Sequence, residues 1–326
     1  MPKNVPFAKF HGLGNDWLVV GGQGLPRSLT RFARAILDRH TGIGGDGLLV
    51  MMPPRSKKHE ARVRFFNPDG SEAEMSGNGI RLAGAFLAEF SPARRTFLIE
   101  TAAGLKSLQK VKEAEGRWLF RVRMGAPILE PAKIPFKAGD FSPPIKGFAL
   151  RTQQGVVPVT VTSMGNPHCS IFVETFESAA LVAAVPRAAG LAPAATRKDF
   201  PRYVGPNGVR PGASAAGPYD LCWESLGREI ETHPLFPNRT NVEFVRVISC
   251  DEIEVRFWER GVGHTMSSGT GSCAATVASI LNGLTERQVR VRTEAGFLHV
   301  GWQENGEVTL TGPVERIAQG TYNYQF

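Results

Sequence analysis

The chain has 326 residues, 42% hydrophobic and 21% charged, enough apolar material for two packed cores and too much for a disordered chain. Lys and Arg outnumber Asp and Glu by 38 to 30. The basic residues are scattered (Arg55, Lys57 and Lys58; Arg94 and Arg95; Arg121 and Arg123), with no basic helix or aromatic-interleaved stripe, so nucleic acid is not expected as a partner.

In chain order, Trp17-Leu18-Val19-Val20 reads as a strand. Ser28 to His40 follows with helical spacing at Leu29, Phe32, Ile36 and Leu37, and Ser28 stands as N-cap. Gly47-Leu48-Leu49-Val50-Met51, Val63-Arg64-Phe65-Phe66 and Trp118-Leu119-Phe120-Arg121-Val122 read as strands. In the second half Glu252-Ile253-Glu254-Val255-Arg256-Phe257-Trp258 alternates as a half-buried strand, and Val289-Arg290-Val291-Arg292 does the same. Many strands with few helices predict an α+β class, not a doubly wound sheet.

Two segments read as diverged copies. One runs from Phe66-Asn67-Pro68-Asp69-Gly70 to Met75-Ser76-Gly77-Asn78-Gly79 and into a helical stretch, Ile80 to Ala88. The other runs from Trp258-Glu259-Arg260-Gly261 to Met266-Ser267-Ser268-Gly269-Thr270-Gly271 and into Ser272 to Leu281. A Gly-Asn pair lies upstream of each, Gly14-Asn15 and Gly165-Asn166. The pattern predicts a tandem duplication. The second interval is longer, and residues 179–219, with Pro186, Pro193, Pro201, Pro206 and Pro211, read as a surface insertion.

Each Ser-Gly-x-Gly turn precedes a helix, whose first N–H groups are unpaired and carry partial positive charge. Glycines allow close approach, so each turn is a cradle for an anion. Two cradles sharing one carboxylate suit proton removal from an amino-acid α-carbon, because the carboxylate turns enediolate-like as the proton leaves.

These residues resemble the diaminopimelate epimerase family, cofactor-independent amino-acid epimerases. The match lies in His11-Gly12-Leu13-Gly14-Asn15-Asp16, Phe66-Asn67-Pro68-Asp69-Gly70-Ser71-Glu72, Gly77-Asn78-Gly79-Ile80-Arg81, Ser163-Met164-Gly165-Asn166-Pro167-His168, Asn241 and Glu259-Arg260-Gly261. The resemblance implies two homologous domains, each a sheet wrapped around a central helix, related by a pseudo-two-fold with the site in the cleft. The expected domains are 1–127 and 128–311, with a last strand in 312–326 returning to the first.

By the resemblance, Asn15, Asn67, Asn166, Asn241, Glu259 and Arg260 are substrate ligands. Gly77-Asn78 and Gly269-Thr270 are the carboxylate cradles, and His168 and Glu259 orient and polarise the acid/base pair. That pair is two cysteines in the family; this chain has Ser76 and Ser268. A thiol of ordinary pKa about 8.5 can be tuned to a thiolate, whereas a serine hydroxyl lies far above that. The family also carries a glutamine where Gly47 stands and a glutamate where His264 stands. Three functions fit: an epimerase of this type converting LL- to meso-diaminopimelate in lysine and peptidoglycan-precursor synthesis, an amino-acid-binding paralogue without chemistry, and a related one-base lyase or isomerase.

Other signals carry less. Gly42-x-Gly44-x-x-Gly47 matches a dinucleotide fingerprint, but follows a helix and precedes a strand, the reverse of the order needed. The four cysteines (Cys169, Cys222, Cys250, Cys273) include no CxxC pair, and no carboxylates sit at metal-ligand spacing. Neither metal nor cofactor is expected. Cys169 and Cys273 read as small buried residues, His11 as structural, and His264 as facing either the site or elsewhere. No apolar run approaches the ~18–20 residues of a membrane span, and Met1 to Phe10 lacks a signal-peptide layout. The expectation is a cytoplasmic protein with no membrane partner, for which a homodimer is allowed.

Overall fold

The computed structural model describes residues 3–137, 139, 141–176 and 222–324. The insertion read at 179–219 lies outside the described residues. In chain order the elements are β1 (Lys3–Gly12), β2 (Asn15–Gly21), α1 (Leu29–Leu37), β3 (Gly47–Met52), β4 (Ala61–Phe66), β5 (Glu72–Ala73), α2 (Gly77–Phe90), β6 (Thr96–Thr101), β7 (Gly104–Ala114) and β8 (Arg117–Gly125). They continue with β9 (Ile145–Thr152), β10 (Gly155–Ser163), β11 (Pro167–Phe172), α3 (Trp223–Glu231), β12 (Asn241–Ser249), β13 (Glu252–Glu259), β14 (Gly263–Thr265), α4 (Gly269–Leu281), β15 (Gln288–Thr293), β16 (Gly296–Trp302) and β17 (Val308–Tyr324). The chain divides into two compact units, 1–124 with 310–326 and 125–309.

In the first unit the sheet closes on itself, because β17 pairs with both β1 and β8. Around the ring β1 joins β2, β2 runs parallel to β3, β3 joins β4, β4 runs parallel to β6, and β6 joins β7 and β8. Closure leaves no open sheet edge in this ring. The helix α2 packs against β1, β2, β3 and β7, and Gly77 through Ala85 are all buried. Its apolar sequence suits a helix enclosed on every side. The amphipathic α1 behaves differently: Phe32, Ile36 and Leu37 pack on Leu18, Val20, Leu48 and Val50. Ser28 caps it, its hydroxyl accepting the Arg31 N–H at 3.3 Å.

The second unit repeats the scheme. β10 joins β11, β11 runs parallel to β12, β12 joins β13, β13 joins β14 and runs parallel to β15, and β15 joins β16. The helix α4 packs against β10, β11, β12, β13, β15 and β16. Each unit therefore carries its second parallel pair on either side of its central helix, as a duplicated ancestor requires. The α+β class and the sheet around a helix are found in both units.

One expectation fails. Alternation in β13 predicts that Glu252 and Glu254 face water, yet both are buried. Arginines cover them: Arg290 and Arg292 of β15 pair with Glu252, while Arg246 of β12 and Arg256 of β13 itself pair with Glu254. Long arginine stems exclude water while the guanidinium charges offset those of the buried carboxylates.

Candidate active site

Both serines at the heads of the central helices are N-caps. Ser76 has φ −131° and ψ 127°, and its Oγ accepts the Gly79 N–H at 3.1 Å. Ser268 has φ −132° and ψ 129°, and its Oγ accepts the Gly271 N–H at 3.2 Å. The near-identity of the two caps is the duplication at atomic scale. The last residue of each turn is glycine because the sheet lies against it: a Cβ on Gly79 would stand 2.9 Å from the Phe65 ring, and one on Gly271 2.9 Å from the Phe257 ring. Gly271→Ala is expected to push α4 off β13 and to cost about 1–3 kcal/mol, read as a lowered urea midpoint with an unchanged slope.

In the first unit a chain of hydrogen bonds fixes the cradle. The Asn78 amide donates to Asn15 Oδ1 at 3.1 Å, and Trp17 Nε1 donates to the same oxygen at 2.6 Å. Asn15 Nδ2 in turn donates to Asp46 Oδ2 at 3.1 Å. Arg81, fully buried, donates to Gly77 O at 2.9 Å and to Asn78 Oδ1 at 2.5 Å. Its charge adds to the positive end of the helix behind Gly77. Asn67 stands apart: its amide donates to Ser71 Oγ at 2.9 Å within the 67–71 turn. Burial pushes Asp46 up, helped by Asp16 beside it, while in Asp16 the bonds from Arg39 and Lys9 outweigh burial and hold the carboxyl down.

Gly47 departs from the family glutamine for a steric reason. It pairs with Trp17 across β2 and β3, and a Cβ there would lie 2.5 Å from the indole. The indole takes the space a side chain at 47 would need. The pattern Gly42-x-Gly44-x-x-Gly47 runs from the loop after α1 into the first residue of β3, the order that excludes a dinucleotide turn.

In the second unit the predicted residues gather at the ends of β11, β12 and β13. Ser268 Oγ donates to Glu259 Oε2 at 3.0 Å, and Thr265 Oγ1 donates to Glu259 Oε1 at 2.6 Å. Burial raises the Glu259 carboxyl above its ordinary range against those two hydrogen bonds. Asn241 accepts the Arg260 N–H at 3.0 Å and donates to Pro167 O at 3.0 Å, so it ties the Arg260 turn to β11. The Arg260 guanidinium is exposed and donates to Asn238 O at 3.2 Å. Gly269 is buried and Thr270 half-buried at the first turn of α4.

His168 is fully buried. Its Nδ1 bonds Glu243 Oε1 at 2.6 Å and its Nε2 bonds Asn166 Oδ1 at 2.9 Å, so both nitrogens are engaged within the unit. His264 pairs with Glu294 and stands edge-on to Trp223, ring centroids 5.0 Å apart. Cys169 and Cys273 are wholly buried, and burial, with Glu243 nearby, pushes the Cys169 thiol well up. Among the described residues no cluster of His, Cys, Asp and Glu could hold a metal ion.

Sequence reasoning missed Glu231, Glu243, Thr265 and Asp46. Glu231, at the end of α3, accepts from Trp258 Nε1 and from Gly261 N, each at 2.8 Å. One buried carboxylate thus clamps both flanks of Glu259-Arg260. For Glu243 a signal existed: a single acid inside the apolar strand Val242-Glu243-Phe244-Val245 must have a buried partner.

Two serine-capped, glycine-rich turns at the heads of central helices in a duplicated sheet-and-helix scaffold are the arrangement that the resemblance implied for an amino-acid epimerase. The family model for diaminopimelate epimerase matches residues 7–130 and 215–317. Diaminopimelate epimerase of Pelotomaculum thermopropionicum is 39% identical, over 98% of this chain and 99% of that protein. That of Halothermothrix orenii is 38% identical over 96% of each. A hydroxyproline epimerase structure from Agrobacterium vitis aligns over 99% of this chain and 93% of its own, with TM-score 0.64 at 15% identity, a likeness of fold. The chain belongs to the diaminopimelate epimerase family.

Proposed function

We propose that this chain acts without cofactor on the α-hydrogen of a diaminopimelate-type amino acid, with Ser76 and Ser268 at the reacting carbon. The observation that carries the reading is the matched pair of capped, glycine-rich helix starts, each followed by unpaired N–H groups. They hold the reacting carboxylate and stabilise the charge it gains as the α-proton leaves. Asn15, Asn78, Gly77, Gly269 and Thr270 belong to the two cradles. Asn67, Asn241, Glu259 and Arg260 bind the substrate's second amino-acid head, Arg260 meeting its carboxylate through a guanidinium fork, and Asn166 is a further substrate ligand. His168 is a positioning residue behind Asn166. Among the described residues no helix is long and apolar enough to cross a membrane.

Proton NMR of LL- and meso-diaminopimelate in D2O, with calorimetry on the same samples, tests the reading. The expected result is binding together with loss of an α-proton signal. Binding with an unchanged spectrum would mean an amino-acid-binding paralogue instead. A new conjugated product would mean the lyase reading.

A further inference from the structure

Trp258, the residue before the Glu259-Arg260-Gly261 turn, is gripped by one face of α3. Gly227 lets the helix come up against it: a Cβ there would stand 2.8 Å from the Trp258 Cβ. The Arg228 guanidinium lies over the indole, 5.4 Å from the ring centroid, a cation–π contact. One turn on, Glu231 is buried, and each of its side-chain oxygens receives an N–H. Oε2 takes Trp258 Nε1 at 2.8 Å; Oε1 takes the Gly261 backbone N–H at 2.8 Å and Arg239 Nη1 at 3.5 Å. Every partner is a donor, so only a group that accepts at both oxygens fits. The Glu231 backbone oxygen also receives the Thr240 N–H at 3.1 Å. Arg260 rests on the same segments: its backbone N–H donates to Asn241 Oδ1 at 3.0 Å and its guanidinium to Asn238 O at 3.2 Å. One residue of α3 therefore ties the turn that carries Arg260 to the 238–241 loop that supports it.

We infer that Glu231 is a positioning residue for the substrate's second amino-acid head: it aims the Arg260 guanidinium and so sets the affinity for that head's carboxylate, a role that rests on the substrate reading above. The physical ground is the freedom Arg260 would otherwise have. Its side chain is exposed, and the next residue, Gly261, is a left-handed glycine with φ 76° and no side chain to pack. The far side of the turn is therefore held by the bond from the Gly261 N–H to a buried carboxylate. Such charge-assisted bonds are stronger than neutral ones, and burial keeps water from competing for them. A guanidinium fork meets a carboxylate through two parallel bonds, so its base must be fixed in direction as well as in place. Where the turn is loose, binding must order it first, and that entropy is subtracted from the affinity.

The test is calorimetric titration of LL- and meso-diaminopimelate into the full chain and its variants, each shown by circular dichroism to be folded at the titration temperature. Glu231→Gln turns an N–H group toward Trp258 or Gly261, so one of the two bonds is lost, and Kd is expected to rise about tenfold or more. In an Arg260→Ala background, with weak binding read by proton NMR titration, the same change should raise Kd by less than about threefold, because no guanidinium remains to be aimed. A merely structural glutamate would lower the unfolding midpoint without this dependence on Arg260. If Glu231→Gln does not fold, Trp258→Phe serves. It keeps an aromatic ring against Gly227 and Arg228, removes the Nε1 donor, and should raise Kd about threefold or more, again only while Arg260 is present. A Kd unchanged in the variant, or an equal rise with and without Arg260, would overturn the inference while binding by the parent chain upholds the substrate reading. Absence of binding by the parent chain would overturn the substrate reading, and the inference with it.

Discussion

The Ser76→Cys, Ser268→Cys double variant is expected to interconvert LL- and meso-diaminopimelate about 10²–10⁴-fold faster than the parent chain, the range that a competent general acid or base supplies. The physical ground is acidity. A thiol starts near pKa 8.5, and the head of a helix lowers it further, whereas a hydroxyl in the same place stays protonated. Both faces of the carbon must be served for inversion, so either single variant should gain much less than the double, in the non-additive manner of groups that act as a unit. The gain has a structural cost. Ser76 and Ser268 are good N-caps, with hydroxyls accepting at 3.1 and 3.2 Å, and sulfur is a weaker acceptor. Each replacement should lower stability by about 0.5–2 kcal/mol. The double variant is thus expected to be faster and less stable, read by proton NMR of both stereoisomers and by urea unfolding. A stability loss with no gain in rate would mean that the two turns do not serve one α-carbon.

The helix heads show why this family's chemistry and its fold are easily confused in a sequence. Met75-Ser76-Gly77-Asn78-Gly79 and Ser267-Ser268-Gly269-Thr270-Gly271 would be written the same way for capping alone. Their local geometry is a cap, and their duplication is what points to function. The strands and α1 were legible because they depend on local periodicity and on Ser28. The shape of the site was not legible where it depends on partners distant in the chain. Glu231 reaches Trp258 and Gly261, Asp46 reaches Asn15, and the indole of Trp17 fills the space over Gly47. The buried Glu252 and Glu254 were misread largely for the same reason, because Arg290, Arg292 and Arg246 reach them from other strands. His264 was undecidable from sequence since neither Glu294 nor Trp223 is near it in the chain.

The buried pair beneath this site gives the second large effect. Glu243 bonds His168 at 2.6 Å and accepts from Ser170 Oγ at 3.4 Å, with all three residues sealed from water. Glu243→Ala is expected to cost about 3–5 kcal/mol, because it leaves the imidazole facing an apolar void. Glu243→Gln keeps the volume and separates charge from shape. Burial raises the folded-state pKa of Glu243 above its ordinary 4.5, although His168 and Ser170 both act to lower it. A carboxyl raised in the folded state contributes stability that is full below 4.5 and is lost as pH rises through the folded value. The parent chain therefore loses stability over that window, and Glu243→Gln, which cannot titrate, does not. The difference in unfolding free energy between Gln variant and parent should shift in the variant's favour as pH rises above about 4.5. The acid limb serves as an internal control. Glu100, held down to about 2 first by its bond to His59 and then by the Arg55 and Ser56 N–H groups, withdraws its stabilisation equally in both proteins as pH falls. Urea unfolding of parent and variant across the pH range measures the difference, and parallel curves above pH 4.5 would place the Glu243 carboxyl at its ordinary pKa and remove the basis for a strained charge beneath His168.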